Sequence, residues 1–163
     1  LVLARAQRRT EAARLEVVEL CSLLGDVVAE LRTAPGVDVQ LRCEPHVAAL
    51  ANRDLTEQAV ANLVANAARY TARGRIDVIA DRLGDDVVIS IADTGRGMTS
   101  EELARASERF YQGDERDAEG FGLGLSIARQ AIEAMGGRLA LESRRGGGTT
   151  ATVRLAGATL VEP

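Results

Sequence analysis

Asn62 and Asn66 stand four residues apart in a segment, 53–70, whose Leu55, Ala59, Leu63 and Ala67 recur every four residues with Val60 and Val64 beside them. That spacing makes a helix and puts both amides on one of its faces. Arg69 and Tyr70 follow one turn later on that side. Amides beside an apolar stripe need partners, which water or a polar ligand can supply. A second cluster, Asp93-Thr-Gly95-Arg-Gly97, directly follows a strand-like run, 87–92. It offers a fixed carboxylate next to backbone that a ligand can approach closely, because glycine carries no Cβ. A third, Gly120-Phe-Gly122-Leu-Gly124-Leu125, opens a helical segment, and clustered N–H groups at a helix start favour an anion. It lacks the GK[ST] of a Walker motif, and no strand precedes it closely enough for a dinucleotide fingerprint. A fourth, Gly146-Gly-Gly148-Thr149-Thr150, reads by itself as a hairpin turn. Taken singly, each cluster is also compatible with an ordinary turn or a solvated helix face.

The elements that would carry these clusters are legible in the hydrophobic pattern. Val17, Leu20, Leu24, Val27, Val28 and Leu31 form one helical stripe that Pro35-Gly36 ends. Val37, Val39 and Leu41 alternate with polar residues as a half-buried strand, and a short strand follows around 47–50. Runs 76–82 and 87–92 are joined by Gly84-Asp85-Asp86, a hairpin signal. Ser100 with Glu101 and Glu102 suits a helix start near 100–106. Residues 124–135 are helical and stop at Gly136-Gly137. Strands at 138–143 and 149–155 close the chain. The expected class is α+β, a two-layer α/β sandwich in which about five strands form a mixed sheet with about three helices on one face. Residues 1–16 read as the end of an upstream helix plus linker, 17–159 as one folded domain and 160–163 as a tail.

Composition narrows the function further. Hydrophobic residues make up 46% of the 163, enough for a core, but aromatics only 2%, so the core rests on Leu, Val, Ile and Ala. A net charge of −4 argues against nucleic acid or a membrane surface as partner. All 20 basic residues of the Lys+Arg count are arginine, so any cationic contact to phosphate is a guanidinium, whose fork suits oxyanions. Cys21 and Cys43 have neither metal-ligand nor disulfide-framework spacing, and reduced thiols are expected. No run approaches the roughly 20 apolar residues of a membrane span.

The order and spacing of the clusters together are far more specific than any one. The chain resembles, over about residues 17–156, the ATP-binding module shared by histidine kinases, gyrase-type topoisomerases and mismatch-repair ATPases (the Bergerat fold). Residues 62–70 resemble its N box, 93–97 its first glycine box and 120–125 its second. Glu108-Arg109-Phe110 resembles the F box of the sensor histidine kinases. The resemblance implies Mg-ATP as ligand, with Asn66 holding Mg2+ and Asn62 assisting. Arg69 would contact phosphate, so that Asn66, Asn62 and Arg69 take the catalytic role. It implies that Asp93 accepts a hydrogen bond from the adenine amino group, which would leave a buried acid unpaired against guanine. Tyr70, Gly95, Gly97, Met98, Phe110, Gly120, Phe121, Gly122, Leu123, Gly124, Leu125 and Thr149 would line the nucleotide site. Residues 112–121 would form its lid, mobile around 114–120 without ATP.

ATP-hydrolysing relatives carry a glutamate at the position of Asn62. An amide cannot take a proton from water, so hydrolysis should be poor and transfer to another protein favoured. The chain departs from the pattern at Gln112, where relatives place a basic residue that Arg109 or Arg116 would have to replace, and at Asn52, often an Asp. The resemblance implies a cytoplasmic, two-component signalling domain, either of a soluble kinase or of one anchored in a membrane. As a fragment it would be monomeric, and it would act on a histidine of a phosphoacceptor (dimerisation) domain and indirectly on a response regulator. That histidine is not evident here: His46, the one histidine, sits in a Pro-containing turn, and the acceptor would lie on a longer chain or a separate one. Ala29-Glu-Leu-Arg-Thr33 echoes an acceptor motif without its histidine. Two other readings use the same fold: a serine kinase of the anti-sigma-factor type, and a degenerate module that binds nucleotide or only a partner.

Overall fold

The computed structural model describes residues 14–109 and 123–160. Strand β1 (Glu16–Glu19) leads into helix α1 (Leu20–Glu30). There follow β2 (Val37–Cys43), β3 (Ala48–Ala51), α2 (Arg53–Tyr70), β4 (Gly74–Leu83), β5 (Asp86–Asp93), α3 (Ser100–Arg109), α4 (Leu123–Ala134), β6 (Arg138–Ser143) and β7 (Thr149–Ala158). Among the described residues seven strands form one mixed sheet, with order β1-β3-β7-β5-β4-β2 and β6 beside β7. The β2–β4 pair is parallel and every other pair antiparallel. The class is the expected one, with two strands more than the alternation signalled.

Period-two burial explains why the helices occupy one face. Ile76, Val78 and Ala80 of β4, Val87, Ile89 and Ile91 of β5, and Ala151, Val153 and Leu155 of β7 are all buried. Cross-strand pairing aligns Val78 with Ile91 and Ile89 with Val153, so the apolar rows coincide. Leu20, Leu23, Leu24 and Val27 of α1, Ala59, Val60, Leu63, Val64 and Ala67 of α2, and Leu125, Ala128, Ala131 and Ile132 of α4 close over them. β7 is the hub of the sheet. Its whole length to Ala156 pairs with β5 on one edge, while β6 and then β3 share the other.

Two details differ from the sequence reading, and a third extends it. Val17 does not begin a helix: it lies in β1, opposite Leu50, and is 49% exposed. Two adjacent β-branched residues favour the strand, and Glu19, whose carboxylate accepts from the Cys21 and Ser22 N–H groups, starts the helix two residues later. The thiols are not reduced. Cys21 and Cys43 form a disulfide with their Cα atoms 5.5 Å apart, because the crossover from α1 to β2 returns the end of β2 to the first turn of α1. The third concerns α3, which is started by a full capping box. Thr99 Oγ1 accepts from Glu102 N–H at 3.1 Å while the Glu102 carboxylate accepts from Thr99 N–H at 2.8 Å. That backbone contact, with Arg145 and Arg96 nearby, holds the Glu102 carboxyl below its ordinary range despite partial desolvation.

Residues 1–13, residues 110–122 (the expected lid with Gln112 and Arg116, and Phe110, Gly120, Phe121 and Gly122) and residues 161–163 lie outside the described residues. His46 is exposed in the turn after β2, with φ of 67°.

Asn52 caps α2: its side-chain oxygen accepts from Leu55 N–H at 3.0 Å. Asn and Asp serve almost equally well there. Asn52→Asp should therefore leave stability within about 0.5 kcal/mol, and Asn52→Ala should cost about 1 kcal/mol, both read by urea denaturation.

Candidate nucleotide site

The end of β5 delivers Asp93 to the mouth of a small pocket between α2, α4 and the sheet. Asn66, Leu63, Leu125, Leu141 and Thr149 share that pocket with it. Asp93 Oδ1 accepts from Gly95 N–H at 2.8 Å and from Thr149 N–H at 3.3 Å. Burial pushes the Asp93 carboxyl above the ordinary aspartate range, and these two backbone donors pull it part of the way back. The site thus combines a fixed acceptor with apolar walls, the usual composition of a small-molecule pocket.

The glycines explain how the carboxylate is held. A Cβ on Gly97 would strike the Arg144 carbonyl, and one on Gly148 would strike the Asp93 carbonyl. Both residues have positive φ, 61° and 77°. The turn 144–148 is therefore laid backbone to backbone on the loop 93–97, and Gly146 N–H donates to Arg96 O at 2.8 Å. What read as a plain hairpin turn is the support on which the Asp93 loop rests. Gly95 also packs closely on the end of α2, against the Tyr70 carbonyl and Thr71 Oγ1. Thr71 Oγ1 is buried and finds no partner among the described residues.

Helical geometry sorts the N-box residues. Asn66 lines the pocket. Asn62, one turn back, donates to Gln58 O and faces Gly124 at the start of α4, where an added Cβ would lie 3.5 Å from Asn62 Oδ1. This brings the described end of the second glycine box against the N box. Arg69 is placed elsewhere. It lines a wider groove between α1 and α2 with Val27, Glu30, Arg32 and Glu57, because a step of three residues from Asn66 falls roughly 60° short of a full turn. Two guanidiniums approach the Tyr70 ring, Arg69 at 5.6 Å and Arg96 at 5.1 Å from its centroid. Met98 is buried, and its N–H donates to Ser143 Oγ at 2.8 Å.

Ser143 and Thr71 escaped the sequence reading. A lone serine at a strand end and a threonine after a helix carry no signal until register and helix end are known. Mg2+ takes oxygen ligands and keeps much of its water. A single amide oxygen from Asn66 beside phosphate fits that habit. The described residues contain no cluster of three or more His, Cys, Asp or Glu able to hold a metal by themselves.

Gly148→Ala and Gly97→Ala combine positive φ with backbone overlap, so each should destabilise by more than about 2 kcal/mol. Gly146→Ala, with φ of 73° but nothing within 4 Å of its Cβ, should cost only the left-handed strain of about 1 kcal/mol. Thermal unfolding of the three variants checks the order.

Residues 51–159 match the family model described as histidine kinase-, DNA gyrase B-, and HSP90-like ATPase. The chain is 43% identical over 108 residues to the histidine protein kinase DivJ of Caulobacter vibrioides, covering 64% of this chain and 18% of that protein. It is 33% identical over 160 residues to the sensor histidine kinase AruS of Pseudomonas aeruginosa, covering 90% and 16%. It spans less than a quarter of the length of these curated relatives. Among solved structures, full-length ShkA in complex with AMPPNP superposes with a TM-score of 0.75 at 29% identity, over 91% of this chain and 32% of that one. The mycobacterial sensor histidine kinase MprB shares the fold with a TM-score of 0.75 at 23% identity, over 90% and 99%. With the match covering most of its length and its relatives being sensor histidine kinases, the chain belongs to the family of histidine kinase-, DNA gyrase B- and HSP90-like ATPases.

Proposed function

We propose that this chain binds Mg-ATP and transfers the γ-phosphoryl group to a histidine on a separate phosphoacceptor domain or chain in two-component signalling. The observation that carries the reading is the half-buried Asp93 carboxylate, held by two backbone N–H groups in an apolar pocket that also contains Asn66. A carboxylate there rewards a purine amino group and penalises a carbonyl. The similarity to ShkA, whose structure holds AMPPNP, supports the same ligand class.

Asn66 is the residue that would hold Mg2+, which neutralises phosphate charge when bound. Asn62 stands beside it without a carboxylate to activate water, which favours transfer over hydrolysis. In the transfer an imidazole nitrogen bonds to the γ-phosphorus as the bond from that phosphorus to the oxygen of ADP breaks. The chain's own contribution is positioning and charge complementarity. Arg96 belongs to the first glycine box and stands 5.1 Å from the Tyr70 ring centroid, whereas Arg69 lines the α1–α2 groove away from Asp93 and Asn66.

Calorimetric titration with a non-hydrolysable ATP analogue and Mg2+ should show binding that a GTP analogue does not. Asp93→Ala should weaken it by about 1.5–3 kcal/mol, roughly ten- to a hundredfold in Kd. A wild-type chain that binds no nucleotide would sink the reading. With ATP alone, no phosphate should appear on His46; with a histidine-bearing dimerisation domain added, phosphate should appear on that domain.

The raised pKa of Asp93 sets a pH signature. Its acceptor strength is lost as pH falls through the folded value, so ATP affinity should decline on acidification from above the ordinary aspartate range. For folding the sign is opposite: a raised pKa means a contribution present below the unfolded pKa and lost as pH rises through the folded one. Asp93→Asn should flatten this part of both profiles, followed by titration and by thermal unfolding across pH.

A further inference from the structure

Ser143 ends β6 directly opposite Thr149, the first residue of β7. Its hydroxyl has three neighbours at hydrogen-bond distance: Met98 N at 2.8 Å, Gly148 O at 3.0 Å and Thr149 Oγ1 at 2.8 Å. A serine hydroxyl has one hydrogen and two lone pairs. Met98 N–H can only donate and Gly148 O can only accept. All three contacts become hydrogen bonds in one arrangement alone, in which Ser143 donates to Gly148 O and accepts from both Met98 N–H and the Thr149 hydroxyl. The hydrogen of Thr149 is then spent on Ser143, and only its lone pairs remain for the pocket it shares with Asp93.

We infer that Ser143 is a positioning residue for the purine pocket: by taking the Thr149 hydrogen it makes Thr149 a second acceptor beside the Asp93 carboxylate, so that the pocket selects a ligand edge bearing an amino group. The ligand in this statement rests on the nucleotide reading above; the hydrogen-bond arrangement does not. Two acceptors suit an amino group with its two hydrogens and oppose a carbonyl at the same place. A Thr149 freed from Ser143 can turn and donate to that carbonyl, which removes part of the discrimination. The same serine ties Met98 to the turn 144–148, joining the first glycine box to the last hairpin.

The test compares non-hydrolysable ATP and ITP analogues, which differ in amino group against carbonyl, on the wild-type chain and on Ser143→Ala, Ser143→Thr and Thr149→Val. Expected is a fall of about tenfold in the ATP-to-ITP affinity ratio for Ser143→Ala, the weight of about one hydrogen bond. ATP affinity itself should fall less, Ser143→Thr should restore the ratio, and exchange of the Met98 amide should quicken in Ser143→Ala without nucleotide. Thr149→Val should lose the same discrimination, and the double variant should lose no more than either single one. This second site decides the matter if Ser143→Ala fails to fold. A wild-type ratio retained in Ser143→Ala, or in Thr149→Val, overturns the inference while leaving ATP binding intact. A wild-type chain that binds neither analogue instead overturns the nucleotide reading, and the selectivity with it.

Discussion

Strand β7 holds this fold together, because among the described residues it is the one strand that joins three others. β5 occupies its whole inner edge to Ala156, and β6 and β3 divide the outer one. The eight-pair register between β5 and β7 places Asp93 opposite Thr149, and through that pairing the carboxylate receives its Thr149 N–H. A slip of one residue would turn every buried side chain of β7 to the wrong face. Ala151, Val153 and Leu155 therefore fix the site as surely as the polar residues in it.

Beyond the ends of these strands the chain holds its shape by backbone contact. Loop 93–97 and turn 144–148 touch at Gly97 and Gly148, where any side chain would collide with a carbonyl. Glu102 then ties the same loop and turn to α3, reaching Arg96 at 3.7 Å and Arg145 at 3.3 Å. Such exposed pairs contribute little to stability. Their role is to fix geometry at the rim, while the close glycine packing and the buried hydrogen bonds carry the energy.

The electrostatics of the pocket follow from its partial exclusion of water. Desolvation disfavours the ionised Asp93, and the Gly95 and Thr149 N–H groups offset part of that cost. A carboxylate held between these opposing effects is stabilised further by any group that donates a hydrogen bond to it. Arg69 shows the complementary limit. It shares the N-box motif with Asn66 but lies around the helix, at the α1–α2 groove.

The sequence by itself determined the class, the strands β2 to β7 and the course of the helices, because burial on one face leaves a period of two or of about four in neighbouring residues; the family came from the resemblance of its motifs. The order of the N box and glycine boxes identified Asn66 and Asp93 as pocket residues. What only the tertiary structure decided depends on pairs far apart in the chain: Cys21 with Cys43, 22 residues apart, Met98 with Ser143, 45 apart, and Asp93 with Thr149, 56 apart. Periodicity is blind to such pairs. They are set by strand register, by the direction of a crossover and by where a turn comes to rest, and for that reason Ser143, the disulfide and the second role of the Gly146–Gly148 turn became visible only once the sheet had closed.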